Sequence, residues 1–247
     1  MKIIFSPAKT MKQPEATTSR TLPVYLEETE KLLFKLRQMS FQELKTLWKC
    51  SDEIVKENQQ RIKEMKLNSC LSPAIYAFEG MAYKHLNAEA LDEKSMEYLD
   101  SHLRILSGFY GVLRPFDGVR AYRLDMEHRL KTESFKNLYD FWGDKLYRAV
   151  KDDSGLILNL ASEEYGKCVR KYLKPEDRFI SCVFVENVKG QLKQKSSFSK
   201  MARGEMLRYM AENKIQDPQE LKAFNALNFE FRAELSGDEE FIFERII

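Results

Sequence analysis

The hydrophobic positions in the first third of the chain recur at helical spacing. In residues 24–38 the leucines at 26, 32, 33 and 36 recur at helical spacing, so they share one face of a helix while charged residues occupy the other. Ser40 and Glu43 have the spacing of a capping box, in which each side chain bonds an amide at the start of a helix. We therefore predict a second helix from this point and a third over residues 51–65, which makes the N-terminal third mostly helical.

Beyond this helical third, short apolar runs between turn residues predict strands. Residues 155–160 are largely apolar, which is typical of a central strand that is buried on both faces. Residues 3–5 form a shorter buried strand, which stops before a proline and leads into a long loop over residues 6–23. The remaining pattern predicts, in chain order, a strand over 74–78, helices over 92–103 and 135–150, a hairpin over 179–196, a helix over 199–213, a capped helix start at Asp217, and strands over 229–231 and 241–243.

This mixed order of elements predicts an α+β fold with a central sheet flanked by helices. No internal repeat and no linker rich in Gly, Ser or Pro divides the chain, so we expect one domain over residues 1–247. The composition agrees, because 43% hydrophobic and 12% aromatic residues suffice for a sizeable core and exclude a disordered chain.

Charge and cysteine content narrow the classes of function. The 40 basic and 38 acidic residues give a net charge of +2, so any affinity for nucleic acid must come from local clusters of charge. The four cysteines and three histidines lack metal-binding spacings, and we predict no metal site and no cofactor. No apolar run approaches 18 residues and the N-terminus lacks a signal-peptide pattern, so we expect a cytoplasmic protein.

Two segments carry residues suited to binding an anion. The segment Ser6–Thr10 follows the first strand and presents Lys9, although it lacks the glycines of a P-loop and also fits a polar surface turn. Residues 187–204 contain five basic residues and no acidic one, a pattern typical of salt-sensitive binding to DNA phosphates or of a solvated hairpin. The basic residues of this segment are Lys189, Lys193, Lys195, Lys200 and Arg203.

A third candidate is the glycine-containing segment over residues 106–115. Gly108 and Gly111 make a tight turn whose amides are able to face a phosphate. The arginines around this turn are Arg104, Arg114, Arg120 and Arg123. The segment resembles the hairpin of a helix-hairpin-helix DNA-binding element, although that element places its glycines two apart rather than three. A strand that enters a turn at Ser107 is the alternative.

Residues able to act as acid or base lie near the predicted central strand. Asp144 and Glu164 supply carboxylates there, although helix capping and core packing also explain residues of this kind. No GxSxG elbow is present, so a Ser-His-Asp hydrolase is not indicated.

Taken together, these motifs make the chain similar to the YaaA family of bacterial peroxide-stress proteins. The similarity extends over essentially the whole chain and depends on several motifs in a fixed order. They are Ser6–Met11, Phe78–Gly80 with Tyr83, Leu103–Asp117, Tyr122–Met126, Leu138–Asp144, Asn159–Ser162 with Glu164 and Tyr165, and Lys200–Gly204.

The resemblance implies a cytosolic protein that protects DNA and proteins under hydrogen peroxide by keeping unincorporated iron low. It also implies that double-stranded and structured DNA binds to a helix-hairpin-helix-like element and a positively charged cleft. Carried over by position, the DNA-binding residues are Lys9, Arg104, Gly108, Gly111, Arg114, Arg123, Lys200 and Arg203.

We therefore expect a DNA-binding stress protein without catalytic turnover, with no membrane association and no dedicated protein partner. One alternative is an enzyme that acts on a nucleotide or another phosphorylated substrate in the same basic pocket. Its phosphate would be held by Lys9, Arg123, Lys200 and Arg203, with Asp144 or Glu164 as acid or base. A regulatory interaction module is a further alternative, and it predicts a large exposed apolar patch instead of a basic cleft.

Overall fold

The computed structural model describes residues 1–13 and 18–246, so residues 14–17 of the predicted long loop lie outside the described residues. The α-helices within these ranges are α1 (Leu26–Gln38), α2 (Phe41–Trp48), α3 (Asp52–Glu64), α4 (Ala74–Ala77), α5 (Met81–Leu86), α6 (Glu93–His102), α7 (Leu138–Trp142), α8 (Lys145–Val150), α9 (Glu163–Arg170) and α10 (Ser196–Asn213). The strands are β1 (Lys2–Phe5), β2 (Thr10–Met11), β3 (Ser72–Pro73), β4 (Phe78–Glu79), β5 (Leu103–Ser107), β6 (Gly111–Leu113), β7 (Gly118–Val119), β8 (Leu156–Asn159), β9 (Arg178–Val188), β10 (Gln191–Lys193), β11 (Phe229–Phe231) and β12 (Glu240–Arg245). Short 3-10 helices lie at Ala88–Ala90, Pro218–Ala223, Ala226–Asn228 and Ala233–Leu235.

The main sheet joins strands from distant parts of the chain and confirms the α+β prediction. Its order is β11-β12-β9-β8-β1-β5-β6, and β10 extends β9 as the predicted hairpin. The strands from β12 to β5 run parallel, whereas β11 and β6 are antiparallel to their neighbours. The central pair, β1 and β8, is apolar and almost fully buried, as expected for strands covered on both faces.

The helical N-terminal third is also confirmed. Ser40 Oγ accepts a hydrogen bond from the Glu43 amide at 3.3 Å, and the Glu43 carboxylate accepts one from the Ser40 amide at 2.7 Å. These bonds complete the predicted capping box and fix the start of α2. The leucines of α1 turn inward and join the continuous hydrophobic cluster that the described residues form.

The predicted strand over residues 74–78 is wrong. Residues 74–77 form the short helix α4, because the Ala74 amide donates to the Asp117 carbonyl at 2.9 Å and the chain turns there. Strand pairing on either side of α4 is limited to β3 and β4, two residues each.

The long helix predicted over residues 135–150 is two short helices. The Asn137 side chain caps α7 by accepting a hydrogen bond from the Asp140 amide at 2.9 Å, and Gly143 ends this helix. The φ of Gly143 is +51°, a left-handed conformation that breaks the helical path before α8 begins.

The turn at Gly108 lies between two strands, which corrects the helix-hairpin-helix prediction. Helix α6 runs directly into β5, and the turn leads into β6, which pairs antiparallel with β5. Phe109 and Tyr110 are buried within the turn, and their amides donate to Ser107 Oγ at 3.2 and 2.9 Å. These amides are therefore occupied by the protein itself, and the alternative of a strand entering a turn is confirmed.

Close packing explains the two glycines of this turn. A Cβ at Gly108 would lie 2.5 Å from the carbonyl oxygen of Leu124, and one at Gly111 would lie 2.7 Å from the Trp142 ring. Gly111 also has a φ of +76°. Both positions therefore require glycine for the fold, without any contribution from a ligand.

No helix within residues 1–13 and 18–246 combines the length and the apolar composition that crossing a membrane demands.

Candidate functional site

The central strands β1 and β8 lie side by side, and the chain leaves them toward opposite edges of the sheet. After β1 the chain next enters the main sheet at β5 on one side, whereas after β8 it passes through α9 to β9 on the other. A reversal of this kind leaves a crevice outside the carboxyl ends of the two strands, which is where open parallel sheets commonly bind ligands.

Ser6 and Ser162 join the two chain segments that border this crevice. Ser6 Oγ accepts a hydrogen bond from the Ser162 amide at 2.8 Å and donates to Ser162 Oγ at 3.2 Å. The Tyr83 hydroxyl donates to the Ser6 carbonyl at 2.9 Å. The loop after β1 is thereby fixed against the start of α9 and against α5.

The crevice contains a cavity of about 430 Å³. Apolar side chains from β1 and α5 line part of it, and charged side chains come from separate segments of the chain. The charged lining residues are Lys9, Glu79, Asp125, Glu164, Lys200 and Arg203. The structure thus brings together three of the predicted anion-binding residues and one of the predicted acid–base residues.

Helix α10 delivers Lys200 and Arg203 to the cavity, and its position depends on Gly204. A Cβ at Gly204 would lie 2.1 Å from the carbonyl oxygen of Ala82 in α5, so only glycine permits this approach. The Arg203 Nε is buried and has no hydrogen-bond partner in the described part of the chain. Burial lowers the pKa of Arg203, and the neighbouring Cys182 opposes this effect weakly.

A wider groove of about 790 Å³ adjoins the cavity and shares Lys9, Asp125 and Glu164 with it. The groove lies between helices α1 and α2 on one side and residues 123–131 on the other. Its basic residues are Lys9, Lys35, Lys49, Arg123, Arg129 and Lys131, and its acidic residues are Glu43, Asp125, Glu127 and Glu164. The Arg123 Nε is buried here, and no partner for it exists among residues 1–13 and 18–246.

Asp125 and His128 form a pair where the groove meets the cavity. The Asp125 amide donates to His128 Nδ1 at 2.9 Å, so the proton of the neutral ring is on Nε2, which lies 3.7 Å from Asp125 Oδ2. Burial lowers the pKa of His128, Asp125 opposes the lowering, and Arg123 adds to it. The neutral ring is therefore favoured at neutral pH.

Glu164 is a carboxylic acid of the cavity whose surroundings disfavour its ionised form. Burial raises its pKa, while the Glu127 amide, which donates to Glu164 Oε1 at 3.1 Å, acts in the opposite direction. The nearby Asp125 carboxylate adds to the increase. A carboxyl group that holds its proton to higher pH is able to donate a hydrogen bond or a proton to a ligand.

Arg104 and Arg114, predicted to bind DNA, line neither the cavity nor the groove. Arg104 donates to the backbone carbonyls of Asp100 and Leu103 at 3.1 and 2.7 Å. Arg114 pairs with the buried Asp117 carboxylate at 3.0 Å. Both arginines therefore stabilise the fold at another surface, and Gly108 and Gly111 lie in the buried turn between β5 and β6.

The basic residues of the segment over residues 187–204 lie in different parts of the structure. Lys200 and Arg203 reach the cavity, whereas Lys189 lies on the exposed hairpin and Lys195 pairs with the buried Glu186 carboxylate. Asp144, the other predicted acid–base residue, forms an exposed ion pair with Arg148 and does not line the cavity.

Sequence reasoning missed the roles of Asp125, His128 and Tyr165. The spacing of three between Asp125 and His128 was the available signal, because it allows a side chain to reach back to a nearby backbone amide. Tyr165 gave no signal of its own, since a tyrosine after a helix start is usually explained by packing. In the structure it lines the cavity and is 4% exposed.

Within the described ranges, no cluster of three or more His, Cys, Asp or Glu side chains is arranged to hold a metal ion.

The fold and the crevice define an α+β protein with a cavity lined by charged side chains at the switch point of its sheet. Residues 1–235 match the family model described as Peroxide stress protein YaaA, and the chain belongs to this family. The resemblance inferred from the motifs is thereby confirmed. Membership supports a role in the peroxide stress response.

Three curated relatives match over at least 97% of their own length. A UPF0246 protein of Agathobacter rectalis is 46% identical, and the alignment covers 100% of both chains. A UPF0246 protein of Pediococcus pentosaceus is 44% identical over 98% of this chain and 97% of its own. A UPF0246 protein of Limosilactobacillus reuteri is 44% identical over 100% of both chains.

Proposed function

We propose that the protein binds the sugar–phosphate backbone of DNA during peroxide stress and limits iron-driven damage to it. The observation that carries this proposal is the basic groove between the N-terminal helices and residues 123–131, in which the buried Arg123 Nε has no partner among the residues that the structure describes. A buried N–H group without a partner is costly, and a phosphate oxygen would satisfy it with a charge-assisted hydrogen bond.

The expected mode of binding is independent of base sequence. The six basic side chains along the groove contact phosphates. The four acidic side chains lower the net positive charge of the groove and so limit its affinity for other anions. Lys9 connects the groove to the cavity, where Lys200 and Arg203 extend the basic surface. The proposed interface does not include Arg104, Arg114 or the glycine turn.

Covering DNA phosphates would also explain protection against iron. Ferrous ions that associate with the backbone generate hydroxyl radicals from peroxide where they are bound. A protein whose lysines and arginines occupy the same phosphates displaces such cations, because binding releases the counterions of DNA. Protection by this route requires no iron site in the protein.

A salt titration with matched variants tests DNA binding. We expect Arg123→Gln to weaken binding to a fluorescent duplex equally for unrelated sequences. Loss of one phosphate contact should reduce the slope of log affinity against log salt by about one unit. Arg148→Gln removes the same charge from an exposed ion pair outside the groove and should leave the slope unchanged. Equal effects of the two substitutions would refute the assignment of the groove.

The protective role has its own measurement. Plasmid nicking by ferrous iron and peroxide should decrease in the presence of the wild-type protein and of Arg148→Gln, and less so with Arg123→Gln. Protection that is equal for all three proteins would show that covering of the backbone in this groove is not the cause.

A further inference from the structure

The cavity at the carboxyl ends of β1 and β8 has properties that DNA backbone binding does not use. Its volume of about 430 Å³ falls within the range of small-molecule sites and is far too small for a duplex. From its position, volume and lining we infer that this cavity binds a single phosphorylated nucleoside, with the phosphate on Arg203 and Lys200. Nucleotide binding there does not require that the groove binds DNA.

Two buried polar groups at the cavity lack partners in the described part of the chain. One is the Arg203 Nε, and the other is the hydroxyl of Tyr165, whose residue is 4% exposed. The Met126 amide approaches this hydroxyl without forming a hydrogen bond of acceptable geometry, and burial raises the pKa of Tyr165 well above its ordinary value. Buried polar groups are nearly always satisfied in proteins, so a pair of unsatisfied groups at one cavity favours the binding of a polar ligand there.

The basic side of the cavity suits a phosphate group. Lys200 and Arg203 are three residues apart in α10 and therefore project from the same face of the helix. The guanidinium offers several donors in a plane that matches phosphate oxygens, and the ammonium adds a point charge. Gly204 holds this face of α10 against α5, so the two groups have a fixed position relative to the strand ends.

The other residues that line the cavity suit the remainder of a nucleotide. Asp125 and Glu164 offer carboxyl oxygens that accept hydrogen bonds from ribose hydroxyls or from the amino group of a base. Pro7 and Met81, the more exposed apolar residues of the lining, supply surface against which a flat ring can pack.

A mononucleotide combines the three properties that this lining requires. It has one anionic end, several hydrogen-bond donors and a flat apolar ring. Inorganic phosphate lacks the ring and the ribose hydroxyls, a sugar phosphate lacks the ring, and a nucleoside lacks the anion. The combination of basic, carboxylic and apolar residues in one cavity therefore favours the complete nucleotide over inorganic phosphate, a sugar phosphate or a nucleoside.

Calorimetric titration of the full-length protein tests this assignment. The probes are the four ribonucleoside monophosphates, ribose 5-phosphate, adenosine and inorganic phosphate. We expect at least one nucleotide to bind with a Kd below about 1 mM and about tenfold more tightly than each of the three part-structures. Absence of binding by all four nucleotides, or equal affinity for inorganic phosphate, would overturn the proposal.

Matched variants locate the site. Arg203→Gln should raise the Kd of the nucleotide at least about tenfold, because it removes a charged donor to phosphate. Arg208→Gln, in the same helix but paired with Glu212 outside the cavity, should change it less than about twofold. Similar losses in both variants would refute the site.

A second substitution separates a ligand contact from a structural role. Tyr165→Phe should weaken nucleotide binding without lowering the thermal stability of the free protein, because within residues 1–13 and 18–246 the hydroxyl has no hydrogen bond to lose. Unchanged affinity would remove Tyr165 from the site. Arg123→Gln should weaken DNA binding while nucleotide affinity is maintained, so failure of the groove proposal is distinguishable from failure at the cavity.

Discussion

Replacement of Gly204 by alanine is expected to destabilise the protein by about 3 kcal/mol, the upper end of the range for overpacked sites. The new Cβ would lie 2.1 Å from the Ala82 carbonyl oxygen and 2.9 Å from the His85 Cβ. Relief requires α10 to move away from α5, because the closest atom belongs to the backbone and has no rotamer to change. For a chain of this length, the melting temperature should fall by roughly 6–12 °C.

Gly237 provides the matched control for this substitution. Nothing lies within 4 Å of a Cβ built there, and its φ is not positive, so Gly237→Ala should alter stability by less than about 0.5 kcal/mol. Chemical denaturation of both variants measures the difference. A Gly204→Ala protein as stable as Gly237→Ala would mean that α5 and α10 are not in the close contact that positions Arg203.

The elements that could be predicted from the sequence are those whose signal is local. The capping box of Ser40 and Glu43 needs only four residues, and the apolar run over residues 155–160 specifies a strand buried on both faces. The strand predicted over residues 74–78 is wrong because the spacing of apolar residues in so short a run does not distinguish a strand from a helix. The Ala74 amide instead bonds the Asp117 carbonyl, a contact from a distant segment that no local pattern records.

The glycine turn illustrates the same limit for function. Two glycines near four arginines suggested a phosphate site, yet the need for glycine at 108 comes from the Leu124 carbonyl, which is 16 residues away in sequence. The spacing of the glycines could not distinguish a backbone that approaches a phosphate from one that approaches another part of the protein. The strand alternative depended on β6 pairing with β5, a tertiary contact.

The cavity was predictable only in part. Lys9, Lys200 and Arg203 are basic and lie within the family motifs, but the same is true of Arg104 and Arg114, which line neither the cavity nor the groove. What separates the two groups is the position of each segment relative to the switch point between β1 and β8. That position depends on strand order, which short motifs do not contain.

Substitution of Glu186 by glutamine is expected to lower the free energy of unfolding by about 2 kcal/mol at neutral pH. The side chain is 1% exposed. Its carboxylate accepts a hydrogen bond from Arg245 Nη1 at 3.0 Å and forms an ion pair with Lys195. Removing one member of a buried ion pair typically costs about 3–5 kcal/mol. We expect less here, because Lys195 and Arg245 are partly exposed and regain water when the carboxylate is lost.

The difference between wild type and Glu186→Gln should depend on pH. Burial raises the pKa of Glu186, but the ion pair with Lys195 and the hydrogen bond from Arg245 outweigh burial, so the folded-state pKa is lower than in the unfolded chain. The stabilisation is therefore fully present above the unfolded-state pKa of 4.5 and is lost as the pH falls through the folded-state value. Urea denaturation from pH 7 down to acid pH should show the two proteins converging.

Glu240→Gln is the control, because Glu240 is an exposed glutamate in the neighbouring strand β12. It should change stability little at any pH. A stability difference for Glu186→Gln that is the same at pH 7 and in acid would show that the substitution acts through packing rather than through charge. Convergence in acid would instead show that the ionised carboxylate ties β9 to β12 and to the start of α10, the helix that carries Lys200 and Arg203 to the cavity.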